Sequence, residues 1–281
     1  IESGASGPRS SAHENPQLAL DTGAPGLAAA PCRCEFSRAN VRNASRGPLG
    51  VLSAMRGESR ETKAMNHHYP AKTSYHGPTA TSYDAQRFGS AKGRWLDKRE
   101  KASVTKAVEC LDIDATILDL PCGTGRIAEH LLSLGYRVAG ADVSGDMLAL
   151  ANRRIGGHEK LIALLQVDAQ RIALATNTFD CITCVRLMGH LPPPIKANVL
   201  REMARVAKKY LVVTFYSAGP LRSVKWLLTH RSPMSRVAWY PVSAADLREL
   251  WRLCGLTPVG YWHVCPLLSD AVTYLLRVGP N

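Results

Sequence analysis

From Arg99 to Val278 the apolar positions fall into two alternating rhythms. Val104, Ala107, Val108 and Leu111 share one face of a 3.6-residue repeat, which predicts a helix beginning near Arg99. A short apolar run, Thr116–Leu120, then predicts a buried strand. Arg126–Leu134 returns to the helical rhythm and stops at Gly135, a residue suited to the left-handed helix end. The same alternation continues along the chain. Strands are predicted at Tyr136–Ala141, Leu161–Val167, Phe179–Val185, Tyr210–Tyr216, Thr257–Val264 and Ala271–Val278. Helices are predicted from the Ser144 cap to about Arg154, from the prolines 192–194 to about Lys208, and from Ser243 to Cys254. The last opens on Ser243-Ala-Ala-Asp246, which resembles a capping box. Strands alternating with helices imply an α/β protein. Its sheet is mostly parallel with helices on both faces, and ligands are expected at the carboxyl ends of the strands.

The first hundred residues lack this order. Residues 1–64 are rich in Ser, Ala, Gly, Pro and Arg and bury too little apolar surface to offset the entropy of ordering. They read as a disordered tail or as a non-native extension ahead of a start at Met55 or Met65. Residues 65–98 are polar but carry Tyr69, Tyr75, Tyr83, Phe88 and Trp95. Aromatics in a polar segment suggest a lid that docks on the domain formed by 99–281, with Tyr83, Phe88 and Trp95 as its anchors.

The chain is 281 residues long with a formal charge of +12, and the basic excess is spread over both halves. That balance permits anionic partners. No apolar run approaches the roughly 18 residues of a spanning helix. The eight cysteines make no disulfide framework in a chain of this size. Cys181-x-x-Cys184 has metal-ligand spacing, but on a strand residues three apart point to opposite faces, so both read as buried thiols and no metal is expected. Reduced thiols suit a cytoplasmic location.

The chemistry gathers where the strands end. "CGTGRIA" contains Gly123-x-Gly125-x-x-Ala128, close to a dinucleotide-binding turn. Asp119 immediately before it is poor company for a pyrophosphate and good company for a cation. S-adenosylmethionine carries an ammonium and a sulfonium and no phosphate. Asp142, ending the second strand, is placed to accept from both ribose hydroxyls. Asp168, ending the third, is placed for the adenine amino group, with Ala169 contributing its backbone.

"ILDLPCGTGR", "VAGADVS", "LLQVDAQRI" and "FDCITCVRLMGHL", in that order, resemble the motifs of the class I S-adenosylmethionine-dependent methyltransferases over about Ser103–Val278. The resemblance implies a Rossmann-like, seven-stranded, mostly parallel sheet with an antiparallel last strand. It implies a cofactor set of Asp119, Pro121, Gly123, Gly125, Asp142, Val143, Asp168, Ala169 and Arg186. Pro121 departs from the family pattern, standing where a glycine is usual and offering no N–H.

His190 lies where such enzymes often face the acceptor, as a candidate general base, with Met188 and Arg186 on the same loop. The segment from Ser217 to Ser243 interrupts the alternation and carries Arg222, Lys225, Arg231 and Arg236 among Trp226, Trp239 and Tyr240. A cover over the acceptor pocket is expected there. The candidate substrate contacts are Tyr83, Phe88, Met188, Arg222, Trp226, Arg231 and Arg236. They suit a small, anionic or lipid-linked acceptor, and peripheral membrane contact is compatible with them. A nucleic-acid methyltransferase is the alternative, although "VRLMGHLP" lacks the Asn/Asp-Pro-Pro-aromatic signature of base amino methylation. A non-catalytic cofactor-binding regulator and a nicotinamide dehydrogenase are further alternatives.

Overall fold

The computed structural model describes residues 73–218, 239–266 and 269–279. The expectations for residues 1–64, Tyr69, Arg222, Lys225, Trp226, Arg231 and Arg236 lie outside these residues. Helices α1 (Pro78–Phe88) and α2 (Ala91–Val108) precede β1 (Thr116–Asp119), α3 (Arg126–Ser133), β2 (Arg137–Asp142) and α4 (Gly145–Ile155). There follow β3 (Leu161–Gln166), β4 (Phe179–Cys184), a 3-10 turn (Met188–His190) and α5 (Pro193–Val206). The chain ends with β5 (Ala207–Tyr216), α6 (Ala244–Leu253), β6 (Leu256–His263) and β7 (Ala271–Val278).

The seven strands form one sheet in the order β3-β2-β1-β4-β5-β7-β6. β3, β2, β1, β4 and β5 pair in parallel, and β7 runs antiparallel between β5 and β6. β1 is the point where the order reverses: its Asp119 sits opposite Gly140 of β2 and Thr183 of β4. A crevice at the strand ends follows from that reversal.

Strand pleating divides the core into two layers. Ile117, Val138 and Cys181 join Val104, Ala107, Ile127 and Leu131 on one face. Leu118, Ala139 and Cys184 join Leu200, Met203 and Leu250 on the other. Cys181 and Cys184 therefore face opposite layers, and burial pushes both thiols up.

Two of the boundaries that differ from the sequence expectation have a visible cause. α2 begins at Ala91, eight residues before Arg99, because the Ser90 side chain accepts from the Gly93 amide and caps it. Its first turns carry no apolar stripe, since Trp95 is 43% exposed. The helix thus runs through the boundary expected at residue 98. α5 ends at Val206 rather than Lys208, because Ala207 is already extended and pairs with Phe179.

Candidate active site

Beyond the ends of β1, β2 and β4 lies a solvent-open cleft of about 1050 Å³. Its floor is the turn after β1. Gly123 and Gly125 have φ of +53° and +80°, left-handed values that favour glycine. A Cβ on Gly125 would also meet Ala151 of α4 at 3.2 Å, so the turn packs directly on that helix.

Two carboxylates support this floor. Asp142 receives the Gly123 amide on one oxygen and the Ser144 amide on the other, each at 2.9 Å. Burial raises its pKa against the pull of those amides. Asp119 is 1% exposed and accepts from the Thr183 hydroxyl at 2.8 Å, while its second oxygen has no partner within hydrogen-bond distance among the described residues. Burial pushes its carboxyl up to about 7, against Thr183 and the positive charge of Arg126. A buried acceptor with unused capacity beside a glycine turn fits a ligand that brings an ammonium.

The opposite wall is cationic and aromatic. Arg87, Arg126 and Arg186 line it with Tyr75, Tyr83, Tyr216, Trp239 and His190. Glu100 of α2, 2% exposed, receives Arg126 at 2.6 Å and Arg186 at 2.8 Å. Arg126 also pairs with Asp97. Arg186 holds a positive φ of 67° while making this bond. Phe88 lies under both guanidiniums, 4.5 Å from Arg126 and 5.2 Å from Arg186. Trp239 stands edge-on to His190 and Tyr216, with ring centroids 4.8 and 4.4 Å apart.

The first helix is fastened over the turn. The Thr124 hydroxyl donates to Asp84 of α1 at 2.9 Å, and Arg154 of α4 reaches the same carboxylate at 2.6 Å. Ser144 donates to the Tyr75 carbonyl at 2.6 Å, and the Gly77 amide donates to Asp146 at 2.8 Å.

Of the residues expected from sequence, Pro121, Gly123, Asp142, Val143, Ala169, Arg186, Tyr83 and His190 line the cleft. Gly125 shapes the turn from behind and Asp119 lies beneath it. Asp168 does not line the cleft; its side chain accepts from the Gln170 amide and holds its own turn. Met188 is fully buried in the core layer of α5 rather than facing the cleft. Phe88 stacks on arginines instead of lining the wall, and Trp95 points to solvent rather than anchoring a lid. Sequence reasoning passed over Arg87, Glu100, Thr124, Arg126 and Tyr216 as site residues, and placed Trp239 only within the expected cover. The spacing of Glu100, Arg126 and Arg186 carries no signal along the chain.

A family described as "Methyltransferase domain" matches residues 117–210. A ubiquinone biosynthesis O-methyltransferase of Serratia proteamaculans is 23% identical over 229 residues, covering 75% of this chain and 94% of its own length. Its namesake in Thiobacillus denitrificans is 31% identical over 116 residues, 41% of this chain and 45% of that protein. The match to this second relative thus spans about half of that protein's length. The crystal structure of magnesium protoporphyrin IX methyltransferase from Synechocystis PCC 6803 with bound SAH is similar with a TM-score of 0.62, at 16% identity, over 73% of this chain and 97% of that one. Sheet order, family match and relatives agree: the chain carries a methyltransferase domain with the fold of the class I S-adenosylmethionine-dependent enzymes, and its cofactor is S-adenosyl-L-methionine.

Proposed function

We propose that the enzyme methylates a small, flat, anionic acceptor held between the aromatic wall and α1. The observation that carries this reading is Arg87. It lines the cleft, lies 6.0 Å over the Tyr83 ring, and pairs with no carboxylate among the described residues. Arg126 and Arg186 are matched by Asp97 and Glu100, so Arg87 leaves the wall with a positive charge that an anion would balance. The relatives' names support oxygen as the methylated atom.

Bound S-adenosylmethionine supplies a methyl group on a sulfonium, open to in-line displacement. In this reading Asp142 accepts from the ribose hydroxyls, Asp119 faces the ammonium, and Val143 and Ala169 flank the adenine. His190 takes the proton of the acceptor hydroxyl. Residues 73–98 act as the lid, excluding water from the cleft. The insert arginines at 222, 231 and 236 recruit the same anionic class of acceptor.

The test uses 3,4-dihydroxybenzoate and catechol, which share a ring and differ by one carboxylate, with methyl-labelled cofactor. The acid should be preferred by about tenfold in kcat/KM, roughly 1.4 kcal/mol. Arg87→Met should erase that preference and leave cofactor affinity unchanged. Equal use of both compounds by the wild type, or more efficient methylation of total RNA, would overturn the reading.

A further inference from the structure

Lys196 is an unexpected residue in its place. It lies one turn into α5, close to the positive end of that helix, and is 1% exposed. Among the described residues its ammonium donates one hydrogen bond, at 2.9 Å, to the main-chain carbonyl of Tyr240. That carbonyl belongs to the short segment that leads from Trp239 into α6. The Tyr240 amide donates to the Gly189 carbonyl at 2.7 Å, and the Val242 amide to the Tyr216 carbonyl at 2.9 Å. Next to Tyr240, the Trp239 ring packs so closely on Gly189 that a Cβ there would meet it at 2.8 Å. Trp239 in turn meets His190 and Tyr216.

We propose that Lys196 is a positioning residue: from behind the cleft it clamps the Tyr240 carbonyl and so sets the Trp239 ring in the acceptor wall. This rests on the wall being the acceptor side, as argued above. An apolar residue would fill the same buried volume in α5 without the cost of hiding a charge, but would leave the carbonyl unheld. The clamp is also weakly defended. Burial pushes the Lys196 pKa down to about 8, against the attraction of Asp246 of α6. Above that pH the amine keeps its N–H groups but loses its charge, and the bond to the carbonyl weakens.

Fluorine NMR of the full chain labelled with 5-fluorotryptophan reads this directly, with the Trp239 signal assigned through Trp239→Phe. The wild-type signal should shift with a midpoint near pH 8. Lys196→Met should displace the signal and abolish that transition. Lys196→Arg keeps a donor that stays charged, so it should restore the position of the signal without the transition. His190 and Tyr216 also face Trp239, but a transition belonging to either would survive Lys196→Met. With 3,4-dihydroxybenzoate as acceptor, Lys196→Met should raise KM about fivefold or more while S-adenosylhomocysteine affinity stays within about twofold. A Trp239 signal indifferent to both variants, or a parallel loss of S-adenosylhomocysteine affinity, would overturn the proposal. If 3,4-dihydroxybenzoate is not a substrate, the acceptor reading fails while the NMR arm still decides the clamp. If Lys196→Met does not fold, Lys196→Arg decides it by the loss of the transition.

Discussion

The two halves of the cleft are built differently. The half over β1 and β2 is made of backbone: two left-handed glycines, their amides, and two buried carboxylates from adjacent strand ends. The half over β4 and β5 is made of side chains from separate segments: Arg87 from α1, Arg186 and His190 after β4, Tyr216 at the end of β5, and Trp239 beyond residue 238. A site made of backbone is fixed by the turn that forms it. One made of side chains depends on whatever orders its contributors, and here the link is Glu100, which ties Arg126 beside the glycine turn to Arg186 on the proposed acceptor side.

The largest effect should come from breaking that link. Glu100→Ala leaves Arg126 with Asp97 alone and the largely buried Arg186 with no carboxylate among the described residues. Losing one partner of a buried ion pair typically costs about 3–5 kcal/mol. Chemical denaturation of the ligand-free protein measures it. A loss below about 1 kcal/mol would mean that the halves are held together elsewhere.

Asp142→Ala tests the backbone-built half alone. S-adenosylhomocysteine should bind about 1.5–3 kcal/mol more weakly by calorimetry, the range for hydrogen bonds to a charged group. Acceptor preference should survive at saturating cofactor. Wild-type affinity in this variant would remove the ribose assignment.

The same contrast explains what could be read from the sequence. The strand ends and the glycine turn are local: Asp119, Gly123, Gly125 and Asp142 announce themselves by following or preceding short apolar runs. The sheet was legible for the same reason, and the capping box at Ser243 is present as its four residues suggested. The side-chain wall was legible only in part: Arg186, His190 and the segment holding Trp239 were expected near the site, but Arg87 and Tyr216 were not, because its members are up to 152 positions apart, from Arg87 to Trp239, and share no rhythm. Met188 misled because a 3-10 turn, which the apolar pattern does not signal, rotates it into the core. Trp95 misled because an aromatic in a polar segment reads as an anchor whether or not a partner surface faces it.

A pH titration sharpens the backbone-built half further. Asp119 has its pKa raised from 3.8 to about 7 by burial. In the ligand-free protein the stability that goes with this shift is fully present below the unfolded pKa and is lost as pH rises through about 7. Cofactor affinity should run the other way. An ammonium partner requires the carboxylate, so binding should plateau above pH 7 and fall toward tenfold per pH unit below it. Asp119→Asn should flatten the profile while lowering the plateau. A wild-type affinity that is constant between pH 5 and about 8 would separate Asp119 from the cofactor.

The smallest effect concerns Phe88, which touches both halves through Arg126 and Arg186. Its ring face offers each guanidinium a favourable quadrupole, worth about 0.5–1 kcal/mol where the pair is partly exposed. Phe88→Leu keeps most of the apolar volume and removes the quadrupole, so stability should fall by about 1 kcal/mol. A double-mutant cycle with Arg126→Met should recover about half of that as coupling, since Arg186 retains the other share. Cofactor affinity and acceptor KM should both stay within about twofold, because Phe88 lies behind the arginines and not in the cleft wall. A rise in acceptor KM with no loss of stability would place Phe88 against the acceptor after all. A stability loss above about 3 kcal/mol would make it a core residue whose packing, not its charge contacts, joins the two halves.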